Sequence, residues 1–234
     1  MPRLFLASLP DDMAGLRETQ VRKDLFIKTV LPLILQVNED ILAERHRLEA
    51  IEEALGAGAG IGADDQVWLR AQGELYGVEP DDLDGLMKRL DAVPPSLALA
   101  QAAEETGWGT SRFVRDGNAL FGQYAFGEDG TMIPLRRDDR SYTVRSFPTL
   151  LESVRAYVLN LNTHWAYRRY REARAKLRGQ GKGVDGYGLA STLTRYSARG
   201  EDYTRTLRSI IVANELRRLD RLRLKGPLGD EPVI

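Results

Sequence analysis

A chain of 234 residues with 43% hydrophobic content can bury one large core or two modest ones. It has no cysteine and only two histidines, His46 and His164, which excludes disulfides, thiol catalysis and a thiolate or histidine metal cluster. No metal and no other cofactor is expected. The formal net charge of −1 hides an asymmetry: residues 1–104 hold 10 Lys/Arg against 19 Asp/Glu, and residues 105–234 hold 23 against 15. An acidic polymer suits the basic half; nucleic acid would suit it on charge alone, but no nucleic-acid motif spacing is present.

Taken in chain order, Met1 to Ala7 lacks the long apolar core of a secretory signal. Nor is there an uninterrupted run of about 18 apolar residues that could span a membrane. From Leu16 to about Leu55, Leu25, Val30, Leu33, Val37, Ile41 and Leu48 recur at helical steps, with Pro32 predicted to kink or split the helix. The glycine-alanine run 56–62 is a break. Asp64 or Asp65 can cap a helix carrying Trp68, Ala71, Leu75 and Tyr76, and Pro80 to Leu90 reads as a further short helix. Val93-Pro94-Pro95 enforces an extended bend.

Ser96 to Ala103 is apolar almost all round, the pattern of a buried helix, and it runs into Glu104-Glu105-Thr106-Gly107-Trp108-Gly109. Glu105 stands one turn beyond Gln101 on the same side. The negative end of the helix dipole and partial burial both favour its protonated form, which is what protonating a glycosidic oxygen requires. Glu104 is expected to be the more exposed of the pair. Short β-prone runs at 132–135 and 142–144 flank a polar turn and predict one hairpin in an otherwise helical chain. Thr149-x-x-Glu152 is a capping box, opening a helix with Leu151, Val154, Tyr157, Val158 and Leu161 inward. Helices are predicted at 166–178, 186–195 and 201–222, and residues 225–234 read as a loose tail. Trp68 and Trp165 have no motif around them and are expected in the core.

The stretch Gln101 to Thr110, followed by Asn118-Ala119-Leu120-Phe121-Gly122, resembles the active-site signature of the glucosaminidase family, of the glycoside hydrolase family 73 type. The resemblance runs from about Pro94 to Leu219. It takes in Ser146-Phe147 before the Glu152-Ser153-Val154 helix, Asn160-Leu161-Asn162-Thr163, and Tyr196 to Tyr203. The Asn-Leu-Asn-Thr stretch, Arg-Gly-Glu-x-Tyr and the helical N-terminal part are most similar to the Bax-like branch. The resemblance implies a mainly α, lysozyme-like core with a small β lobe, here at 93–224, preceded by an N-terminal helical region at 1–92. It also implies hydrolysis of the bond after N-acetylglucosamine in peptidoglycan strands, within the periplasm or cell envelope, so an export segment is expected to precede this chain in nature.

Aligned on Glu-Thr-Gly-Trp-Gly, the family's general acid falls on Glu105. Many relatives place a second glutamate in the β lobe. This chain has none there; Asp138 and Asp139 are the nearest candidates, with Asp139 the candidate second catalytic group. A route in which the substrate's own acetamide attacks would not need one, and the family's tyrosine would then fall on Tyr196. Tyr203 shares a face with Leu207, Ile210 and Ile211 and is assigned to packing. Trp108, Asn118, Phe121, Gln123 and Tyr124 are the candidates for lining sugar subsites. Two alternatives stay open. A lytic transglycosylase also carries a helix-end glutamate, although it typically continues into Gly-Leu-Met-Gln where this chain reads Asn-Ala-Leu-Phe-Gly-Gln. A scaffold that grips glycan without cutting it would not need a second carboxylate.

Overall fold

The computed structural model describes residues 1–125, 131–132 and 143–226. Nine α-helices and three short strands are present among them: α1 (Thr19–Gly56), α2 (Ala63–Tyr76), α3 (Leu83–Arg89), α4 (Pro95–Thr106), α5 (Arg112–Gly117), β1 (Tyr124–Ala125), β2 (Thr131–Met132), β3 (Thr143–Arg145), α6 (Leu150–Thr163), α7 (Arg168–Gly179), α8 (Gly186–Ala190) and α9 (Glu201–Ala213). No helix is long and apolar enough to cross a membrane, among the described residues.

The apolar run before Glu105 forms α4, which lies in the middle of the molecule. It packs against α1, α8, α9 and the 3-10 turn Leu216–Arg221. Leu97, Ala98, Leu99, Ala100 and Ala102 are fully buried, and each leucine contributes roughly 1.5–3 kcal/mol by leaving water. Its small side chains let the neighbouring helices come close on every side.

Pro32 neither splits α1 nor ends it: one 38-residue helix runs through it. A proline inside a helix costs about 3 kcal/mol through a lost hydrogen bond and a clash. Phe26, Val30, Leu33, Ile34 and Val37 flank it and are almost wholly buried, each offsetting roughly 1.5–3 kcal/mol, so packing outweighs the local penalty. The same residues join Phe5, Leu9 and Met13 in one cluster with α4, α6 and α9. A second, smaller cluster contains Leu48, Ile51, Leu69, Tyr76, Leu86 and Leu90. Both clusters draw on α1, and Ile41 packs against each of them.

Thr149 caps α6 by accepting from the Glu152 amide at 3.2 Å, as the sequence predicts. The expected hairpin is β2 with β3, paired antiparallel with Met132 opposite Val144. The sequence reading missed β1, which adds to the other edge of β3 and gives the order β1-β3-β2. It also missed α5 and overextended the last helices. α8 has only five residues, and α9 ends at Ala213 before a break in which Glu215 takes a left-handed conformation. Trp165 is not core but 68% exposed, and Trp68 is half-buried with its indole N–H on Glu44.

A buried ion cluster fixes the approach to α4. Asp91 and Arg174 are 2% and 0% exposed at their side chains, 3.4 Å apart, and Arg178 adds a 2.6 Å contact to the same carboxylate. Arg174 also donates to the carbonyls of Asp91 and Ala92, each at 3.0 Å, and of Lys88 at 3.1 Å. The turn between α3 and α4 is therefore clamped by one guanidinium reaching in from α7. Burial pushes the Asp91 carboxyl up, but Arg174, Arg178 and Arg45 outweigh it and hold it below its ordinary value.

A carboxyl with a depressed folded pKa contributes stability above its unfolded pKa and loses it as pH falls through the folded one. Urea unfolding should show Asp91→Ala less stable by about 3–5 kcal/mol at neutral pH, because Arg174 is left as an uncompensated buried charge. Asp91→Asn should have a flatter acid limb of stability against pH than the native chain.

Candidate active site

α4 ends at Thr106, and three consecutive left-handed residues turn the chain away: Gly107 (φ 58°), Trp108 (φ 59°) and Gly109 (φ 84°). A Cβ on Gly109 would be strained at this φ and would stand 2.6 Å from Met13 Sδ and 2.9 Å from a Leu9 methyl carbon, pushing the N-terminal segment outward. This turn leaves the Glu105 side chain at the rim of the core, exposed on one side. Glu104, half-buried and bonded at 2.6 Å to Arg199, is the less open of the two, the reverse of the sequence expectation.

On its inner side Glu105 is held by a chain of polar groups inside the apolar core. Tyr157 donates to Gln101 Oε1 at 2.7 Å, Gln101 Nε2 donates to the Tyr203 hydroxyl at 3.1 Å, and that hydroxyl donates to Glu105 Oε1 at 2.9 Å. Because the Tyr203 oxygen accepts from the amide, its proton points at Oε1. A proton on the acid then sits on Oε2, the oxygen with no partner in the relay. Oε2 lies 3.0 Å from where a Cβ on Gly122 would be, so the missing side chain at Gly122 (φ 59°) leaves that oxygen approachable.

Burial of its inner side pushes the Glu105 carboxyl up; the Tyr203 hydrogen bond opposes this, the Glu104 charge adds to it, and Arg199 opposes it. The net direction is upward. Because the other side stays open to water, desolvation acts from one face only, which tempers the effect. Tyr203, buried and beside this carboxylate, has its own phenol pushed well above the ordinary range.

Asn118-x-Leu-Phe-Gly supplies the other wall. Asn118, left-handed at the end of α5, donates to the carbonyls of Phe147 (3.1 Å) and Pro148 (3.2 Å) and is 9% exposed. The Leu120 amide donates to Ser153 Oγ on α6 at 3.1 Å. The Phe121 ring is 2% exposed and stacks on Tyr157 at 3.8 Å between centroids, 7° from parallel. The side chains of Asn118 and Phe121, both candidates for lining sugar subsites, are buried and hold this loop.

Tyr196 donates to the Phe121 carbonyl at 3.0 Å and stacks on Tyr203 at 5.6 Å, 5° from parallel. Trp108 is half-buried, its ring meeting Phe26 edge-on at 5.8 Å with the Lys23 ammonium 4.9 Å from its centroid. Gln123 is half-buried, and its carbonyl accepts from the Arg145 amide at 2.9 Å. Tyr124 begins β1. Asp138 and Asp139 lie outside the described residues. Among the described residues no group of three or more acidic, histidine or cysteine side chains could hold a metal.

The sequence reading missed four residues here. Gln101 is a lone polar side chain in an apolar helix, and a buried amide has to find partners. Tyr203 was assigned to packing, yet a buried tyrosine hydroxyl also needs one. Tyr157 completes that chain, and Tyr167 sits close enough for the Glu105 charge to raise its phenol, after burial.

Comparison with known proteins gives the family. The sequence model of the glucosaminidase family, described as mannosyl-glycoprotein endo-beta-N-acetylglucosaminidase, matches residues 82–216. The chain belongs to the glucosaminidase family. It is 32% identical over 215 residues to the protein bax of Escherichia coli K12, a match covering 89% of this chain and 75% of that one. Among solved structures, the catalytic domain of the autolysin Auto from Listeria monocytogenes aligns with a TM-score of 0.42 at 19% identity. That alignment covers 73% of this chain and 96% of the other. Membership places glycan hydrolysis on this chain at the level of the family, and the mainly α architecture is as expected.

Two outcomes check the electrostatics. Carboxyl NMR should find Glu105 titrating above an ordinary glutamate, higher still in Tyr203→Phe and lower in Glu104→Gln. A carboxyl with a raised folded pKa contributes stability below its unfolded pKa and loses it as pH rises through the folded one. Glu105→Gln, which cannot ionise, should therefore melt at or above the native temperature once pH exceeds that raised value.

Proposed function

We propose that this protein hydrolyses β-1,4 bonds at N-acetylglucosamine in peptidoglycan glycan strands, with Glu105 as general acid and without a metal. What carries this reading is the state of the Glu105 carboxyl. One oxygen is fixed by Tyr203, the other is open beside Gly122, and its surroundings favour the proton. A glycosidic oxygen placed against Oε2 would receive that proton as the bond to the anomeric carbon breaks. Arg199 compensates Glu104, so the neighbouring carboxylate is tied to a cation rather than left to act as a base.

The second half of the reaction has two candidates. In one, Asp139 activates water or attacks the anomeric carbon itself. Alternatively, the substrate's acetamide oxygen attacks the anomeric carbon. With its proton on the Phe121 carbonyl, Tyr196 would then steady the acetamide by accepting from its N–H. The second route is favoured by the position of Tyr196 beside Tyr203, one ring away from the acid. Trp108, Gln123 and Tyr124 remain the groups proposed to border the sugars. Such a substrate puts the protein in the bacterial periplasm or cell envelope.

Digestion of purified peptidoglycan, followed by borohydride reduction and mass spectrometry, tests the proposal. Reduced N-acetylglucosamine ends are expected from the native protein. Glu105→Gln should lower the rate by about 10²–10⁴-fold while still binding. Asp139→Asn should leave most of the activity if the acetamide route holds. Anhydro-muramic ends would make the protein a transglycosylase, and binding without any cleavage would make it a scaffold.

A further inference from the structure

The rings that begin at the acid continue beyond Tyr196. Tyr196 lies 5.7 Å from Tyr167, Tyr167 lies 5.6 Å from His164, and His164 lies 5.5 Å from Trp165, centroid to centroid. The row starts at Tyr203, 1% exposed and bonded to Glu105, and ends at Trp165, 68% exposed. Trp165 opens the 3-10 turn Trp165–Tyr167 that joins α6 to α7. Scattered exposed apolar side chains are ordinary. This one differs because it is the outer end of a continuous line of rings that starts at the candidate acid.

Its neighbours carry the polar chemistry that an aromatic platform alone lacks. The Arg195 guanidinium stands 5.1 Å from the indole centroid, and Arg195 is exposed. Arg199 nearby in sequence is paired with Glu104, whereas Arg195 forms no ion pair among the described residues. His164 accepts from the Ala166 amide through Nδ1 at 3.2 Å, which leaves Nε2 as its donor, and the side chain is exposed. Together they offer an apolar face, a cation and a ring N–H donor. An indole face takes the C–H face of a pyranose, and a guanidinium takes a carboxylate.

We propose that Trp165, Arg195 and His164 form an outlying subsite for a carboxylate-bearing sugar of the strand whose scissile bond lies at Glu105. The proposal rests on the glycan reading above. The subsite adds grip on the polymer away from the reacting bond, and Arg195 makes it prefer acidic strands to neutral ones. The ring contacts tie the turn that carries Trp165 to the residues that hold Glu105.

The test is co-sedimentation with insoluble peptidoglycan in a Glu105→Gln background, so that binding is read without cleavage, alongside hydrolysis by chains that keep Glu105. Trp165→Ala should weaken binding about three- to tenfold, the effect of losing one aromatic contact. Circular dichroism should match the parent, since an exposed side chain is removed. Arg195→Gln should weaken binding to peptidoglycan but leave binding to neutral chitin unchanged. Unchanged co-sedimentation of Trp165→Ala overturns the subsite, whatever the turnover. Equal loss on both glycans with Arg195→Gln overturns its preference for acidic strands. Weakened binding by a protein whose native form never cleaves overturns the hydrolytic reading and leaves the subsite standing.

Discussion

The site depends on one buried amide. Gln101 is 0% exposed in the buried helix α4, and its two polar atoms are both used, one on Tyr157 and one on Tyr203. An unsatisfied amide in such a place would cost about 1–3 kcal/mol, so the two tyrosines and the glutamine hold one another in register. The result reaches Glu105 as a hydroxyl aimed at a single oxygen. α4 thus carries the acid at its end and, one turn earlier, the residue that fixes how the acid is held. Removing water from the inner side of Glu105 and supplying one directed donor are opposite influences on its charge, and desolvation is the larger.

Around this axis the other elements act as supports. α6 contributes Tyr157 and the Ser153 hydroxyl that anchors the Leu120 amide. α9 contributes Tyr203, and the stretch before it contributes Tyr196 and Arg199. The N-terminal strap presses Met13 and Leu9 onto Gly109 and so closes the turn after the acid. The N-terminal segment therefore fixes the exit angle of α4, and Arg174 fixes its entry.

Much of this was legible in the sequence because it depends on local pattern. The apolar run of α4, the glycine-tryptophan-glycine turn, the Thr149 cap and the position of Glu105 follow from spacing and from resemblance to the family. What escaped depends on contacts between distant residues. Tyr203 and Gln101 are 102 positions apart, and nothing along the chain marks them as partners. Phe121 and Asn118 sit inside the motif, which says that they matter but not that they matter by burial. Trp165 was expected inside because tryptophan usually is; its exposure follows from a turn too short for periodicity to register.

The unbroken course of α1 has a consequence for how the protein melts. Its first half lies in the large cluster, its second half in the small one, and Ile41 touches both. At 38 residues the helix is about 57 Å long, a rod with no linker at which the two halves could part. Fraying that begins among α2 and α3 uncovers Leu48 and Ile51 on the same rod that carries Phe26 and Val30. The two clusters are thus parts of one cooperative unit, and α2 and α3 share in the stability of the turn that presents Glu105.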